Sequence, residues 1–108
     1  MNRVRTWVVC ATLAAGSAAL LSAAKGDAEK GKAVFEACGV CHNADSTEKK
    51  MGPGLKGLFK KDKLSNDKKP TEANIRSKID EGGNGMPPYK DALSDGEKDD
   101  LIAYLKTL

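Results

Sequence analysis

Two thiols and an imidazole stand within five consecutive residues, Cys38-Gly39-Val40-Cys41-His42, and His42 is the only histidine in the 108-residue chain. The order C-x-x-C-H is that of a covalent haem attachment site. Two thiols at this spacing can each add to one vinyl group of the ring, giving two thioether bonds. A histidine directly after the second thiol is then held beneath the ring, where its imidazole can ligate the iron. Its other ring nitrogen needs an acceptor to fix the ring's orientation. Rival chemistries use these residues less well. A structural zinc site normally takes four Cys or His ligands, and His42 beside Cys41 is poorly placed to share one tetrahedron with it. A thioredoxin-like pair needs strand–helix–strand surroundings, and no β-branched run is visible. A plain disulfide leaves His42 without a role.

An iron ligated by His42 has a second axial position, for which Met51 and Met86 are the soft candidates. Methionine is ordinarily a core gap-filler, but Met86 has an unusual setting. Gly82, Gly83 and Gly85 precede it and Pro87-Pro88 follow. Glycines let backbone approach a flat ligand closely, and prolines stiffen what comes after. Met51 lies nine residues after His42 and would have to pass the ring edge in one short loop. Met86 is therefore the preferred sixth ligand, and a His/Met pair raises the reduction potential of the iron. Met51 precedes Gly52-Pro53, which by itself reads as an ordinary turn.

The elements that must position these groups begin after residue 24. Arg3 and Arg5 open the chain, Trp7 to Ala24 carry no charge, and the stretch ends in Ser22-Ala23-Ala24. That is the layout of a secretory signal peptide. Segment 1–24 is expected to be a cleaved leader, with export by the general secretory route to the periplasm. A retained membrane helix is the alternative, since eighteen uncharged residues are just long enough to span. Cys10 follows Val9, where a lipid-attachment signal wants a small residue, so it reads as a passive leader residue. Residues 25–108 form one 84-residue domain, about a third apolar and without the chain's only Trp. A core of that size is marginal without a staple, and the haem would supply it. The net charge of +3 is too slight for a nucleic-acid binder, and the composition is not that of a disordered chain.

Three helices are expected. The first runs from about Asp27 to Ala37, with Asp27 as cap and Ala28, Gly31, Phe35 and Cys38 at helical spacing. The second runs from about Thr71 to Asp80 and is stopped by Gly82-Gly83. The third runs from about Asp95 to Leu108, with a capping box at Ser94 and Glu97 and an apolar stripe of Leu101, Tyr104, Leu105 and Leu108. Gly31 costs about 1 kcal/mol in a helix relative to Ala, which close packing would justify.

In these features the chain resembles the class I cytochromes c, small monohaem electron carriers. The resemblance rests on the haem motif, on Gly31-Lys32-Ala33-Val34-Phe35 before it, on Gly52-Pro53-Gly54-Leu55 after it, on Gly85-Met86-Pro87-Pro88-Tyr89, and on the closing Leu101 to Leu105 segment. It implies an all-α cytochrome c fold, three main helices and short helical turns wrapped around one covalently attached haem c. It implies that Cys38 and Cys41 carry the thioethers, that His42 and Met86 are the axial ligands, and that the Pro53 carbonyl orients His42. It also implies that Gly31 and Phe35 meet Leu101 and Tyr104 where the first and last helices cross.

Residues 49–69 hold eight lysines against Asp62 and Asp67, a local charge of +6, while the rest of 25–108 sums to −5. A lysine run is usually a solvated surface. In many cytochromes c, lysines ring the exposed haem edge, so this one is also a candidate docking face for an acidic redox partner. The function expected is one-electron transfer between redox proteins by a monomer, without turnover of a substrate, without nucleic acid and without stable membrane insertion. The alternatives are an electron-transfer subunit or tethered domain of a larger redox complex, or a five-coordinate haem that catalyses or senses gas.

Overall fold

The computed structural model describes residues 26–108; the expected leader and its cleavage point lie outside the described residues. Helix α1 spans Ala28–Phe35, a single 3-10 turn spans Leu58–Lys60, α2 spans Glu72–Glu81 and α3 spans Asp95–Leu105. Among the described residues there is no strand, only one isolated bridge between Gly83 and Met86. No described helix is long and apolar enough to cross a membrane.

Each helix starts where a side chain satisfies its free amides. Asp27 accepts from the Glu29 and Lys30 amides at the start of α1. Thr71 accepts from the Asn74 amide ahead of α2. Ser94 and Glu97 form a reciprocal capping box at α3. Two helices end earlier than expected. After Phe35 the chain tightens into successive turns, with the Glu36 amide bonding to the Ala33 carbonyl at 3.3 Å and the Cys38 amide to Phe35 at 2.8 Å. After Leu105 the chain departs from the helix, and the Leu108 carbonyl instead accepts the Gly57 amide at 2.9 Å.

Helices α1 and α3 cross in close contact. A Cβ on Gly31 would run into the Asp100 carbonyl and stand 2.8 Å from the Tyr104 Cβ, so only glycine fits this crossing. The Phe35 and Tyr104 rings pack at 5.3 Å and 52°. The Asp27 amide donates to the Asp100 carboxylate at 2.8 Å, which seats the start of α1 on α3. On the other side α3 is tied to α2 by ions. Arg76 donates to Asp99 at 2.6 Å and to Asp95 at 3.2 Å, and Lys106 pairs with Glu72.

The expected apolar stripe of α3 is only partly inside. Leu101 and Leu105 are buried, Tyr104 and Leu108 half-buried, and Ile102 is buried although spacing did not select it. Ile102 faces the groove between α2 and α3, beside Arg76 and Ala103. Lys98 is buried as well, at 4 % exposure. Its ammonium pairs with Asp80 at 2.7 Å and donates to the Lys90 carbonyl at 2.9 Å.

Candidate functional site

A cleft of about 550 Å³ opens in the middle of the molecule. Among the described residues eight apolar side chains are buried: Phe35, Leu55, Leu58, Ile75, Ile79, Leu101, Ile102 and Leu105. All of them except Ile102 line this cleft. The core is thus also the wall of this cleft. Cys38, Cys41, His42 and Met86 line the same cleft.

The turns after α1 present the two cysteines. The Cys41 and His42 amides both bond to the Cys38 carbonyl, at 3.1 and 3.0 Å, which brings Cys38 and His42 onto one turn. No disulfide joins the two thiols, and both are half-buried. Burial pushes the Cys38 thiol above its ordinary pKa, and the neighbouring Cys41 adds to the rise.

His42 is fixed from behind. Its Nδ1 lies 2.8 Å from the Pro53 carbonyl oxygen; in the tautomer that donates there, Nε2 keeps its lone pair for a metal. The Gly52 amide bonds to the Cys41 carbonyl at 2.8 Å and the Leu55 amide to the Asn43 carbonyl at 2.7 Å, so the Pro53 segment is stitched along the His42 turn. Gly52 packs against the imidazole itself: a Cβ there would run into Cε1 and stand 2.8 Å from Nδ1.

Met86 arrives from the opposite direction in chain order, on the loop after α2. Gly83 and Met86 exchange two backbone bonds, at 2.9 and 3.1 Å, across Asn84 and Gly85, whose φ angles are 53° and 91°. Positive φ at both central residues is the pattern of a type I′ turn, and Asn-Gly is the pair that adopts it most readily. Met86 is half-buried and packs on the core cluster. Met51 also borders the cleft but is 73 % exposed.

The lysine-rich segment reaches this site. Lys49, Lys61 and Lys63 line the cleft, joined from α2 by Lys78. Lys61 donates to the Gly54 carbonyl at 3.0 Å, and Lys50 to the Gly39 carbonyl at 3.1 Å. Val40, between the two cysteines, is 66 % exposed, so with Met51 it sets large apolar side chains on the surface.

The lining fits a flat, apolar prosthetic group. The volume falls within the roughly 300–1,000 Å³ of ordinary ligand pockets, the buried part of the wall is apolar, His42 and the two thiols lie against it, and lysines border it. Among the described residues no cluster of His, Cys, Asp and Glu offers a rival metal site.

Comparison with known proteins agrees with this chemistry. The family model described as Cytochrome c matches residues 28–108. The solved structure of cytochrome c6 from the diatom Phaeodactylum tricornutum is similar at 30% sequence identity and a TM-score of 0.58, covering 76% of this chain and 93% of that one.

Proposed function

This chain belongs to the cytochrome c family, and from that premise we propose that it carries single electrons between redox proteins in the periplasm. In this proposal one haem c per chain is bound through Cys38 and Cys41 and ligated by His42 and Met86. The observation that carries the reading is the cleft, where seven of the eight buried apolar side chains meet both thiols, the one imidazole and a half-buried methionine. The bound haem supplies a reversible ferric/ferrous couple.

The chain's own residues make that couple fast and selective. Pro53 and Gly52 hold the His42 ring in one orientation, so little rearranges when charge changes. The Gly83–Met86 turn does the same for the sulfur. If His42 and Met86 both held the iron, no open ligand position would be left for a substrate, which favours a carrier over a five-coordinate catalyst or sensor. The buried apolar walls would limit the water that reaches the group. The lysines along the cleft favour a partner whose docking face is acidic.

The test is the absorption spectrum of the oxidised protein. A weak red charge-transfer band from iron–sulfur ligation is expected. It should vanish in Met86→Ala and persist in Met51→Ala. High-spin iron that readily binds carbon monoxide in the unmodified protein would refute the His/Met carrier.

A further inference from the structure

Lys98 is the most deeply buried charged side chain among the described residues, and nothing above gives it work in electron transfer. Its position is specific. The segment from Asp80 to Lys90, which contains Met86, leaves the end of α2 and returns beside it. The two feet of this loop are joined by backbone: the Tyr89 amide bonds to the Ile79 carbonyl at 2.9 Å and the Lys90 amide to the Asp80 carbonyl at 3.2 Å. Lys98, from α3, reaches into the same neck. Its Nζ is 2.7 Å from Asp80 Oδ1 on one foot and donates at 2.9 Å to the Lys90 carbonyl on the other.

Burying an ammonium is costly unless its partners compensate, and an apolar chain of similar volume would fill the space at no such cost. A Lys at this place is therefore poorly explained by packing alone. Asp80 Oδ1 is buried and finds no other hydrogen-bond partner among the described residues, so the Lys98 ammonium 2.7 Å away is what answers its charge. Lys78 braces the rising side of the loop, donating to the Gly82 and Gly83 carbonyls at 3.0 and 3.4 Å. It lies on the same helix the loop leaves, whereas Lys98 ties the loop to a different helix, the one that crosses α1.

We propose that Lys98 is a positioning residue for Met86: by clasping Asp80 and the Lys90 carbonyl it closes the neck of the loop and keeps the sulfur on the iron. This rests on Met86 being the sixth ligand. The variants are Lys98→Met, which keeps length and loses charge, Lys98→Arg, which restores the charge, and Asp80→Asn, which gives a milder lesion if Lys98→Met yields no holoprotein. Ile102→Ala serves as a control, since it is buried on α3 but outside the cleft. Imidazole is titrated into each oxidised holoprotein, and loss of the iron–sulfur band reports displacement of Met86. Hydrogen exchange of the Tyr89 and Lys90 amides reports opening of the neck directly.

Hydrogen bonds to charged groups contribute enough that Lys98→Met should tighten imidazole binding about tenfold or more, and Asp80→Asn should do so less. The neck amides should exchange faster by a similar factor, and Lys98→Arg should return both towards the parent. If Lys98→Met, or failing it Asp80→Asn, shifts imidazole affinity and neck exchange no more than Ile102→Ala does, the proposal is overturned. If the parent protein lacks the band and binds imidazole as tightly as Met86→Ala does, the ligand assignment fails instead, and with it the role in holding the sulfur. Neck exchange then shows separately whether Lys98 closes the loop.

Discussion

Gly52 shows how little a residue need carry to matter. It contributes no side chain, and that absence is what lets the backbone lie against the imidazole of His42. Gly52→Ala should push the ring away from the Pro53 carbonyl and misalign the proposed ligand. Losses on changing the supports of a metal ligand run roughly 10- to 100-fold, so the yield of covalently loaded protein, read from its haem absorbance, should fall within that range. The C-x-x-C-H run and the Gly/Pro setting of Met86 were legible in the sequence because they are local patterns with a chemical reason. Lys98 was not. A lysine between Glu97 and Asp99 reads as one more exposed charge, and only the return of the loop at Lys90 brings its partners together in space.

At the level of elements, the α1–α3 crossing gives Gly31 a decisive sign. If that glycine merely sat on a helix surface, Gly31→Ala would stabilise by about 1 kcal/mol. In the crossing seen here the new methyl meets the Asp100 carbonyl backbone, which cannot move aside as a flexible side chain would. Overpacking of this kind costs about 1–3 kcal/mol, and a domain of this size loses roughly 4–8 °C in Tm per kcal/mol. Thermal unfolding followed by circular dichroism should therefore show a lower midpoint for Gly31→Ala. The caps at Asp27 and Ser94 fall where sequence places them, since capping involves residues three or four apart at most. The early ends of α1 and α3 were not legible. They depend on the turn that carries Cys38 and on the distant Gly57 amide that takes the Leu108 carbonyl. Spacing also missed Ile102, whose burial is set by α2 lying across that flank of α3.

At the scale of the molecule, charge is divided rather than large. The +6 of residues 49–69 faces a −5 distributed over the rest of 25–108, and three of the eight lysines border the cleft. A face of that kind should accelerate encounter with an acidic partner and lose its effect when salt screens it. The Debye length shrinks from about 10 Å at 0.1 M to about 3 Å at 1 M. The second-order rate of reduction by an acidic redox protein should accordingly fall as ionic strength rises, and Lys61→Ala with Lys63→Ala should flatten the dependence. Stopped-flow measurement across a salt series checks both; a flat profile in the parent protein would leave the lysines as ordinary solvated surface.

The cleft has one further consequence, for the life of the chain before it is loaded. Because seven of the eight buried apolar residues among those described line that cleft, much of the core's burial would depend on contact with the prosthetic group. Ligand binding to the native state alone stabilises it at the expense of the unfolded one, and here the bond to the ligand is permanent. Maturation and folding then become a single commitment. Unloaded chains should therefore be cut faster than loaded ones in limited proteolysis, and equal rates would show that the walls hold without the group.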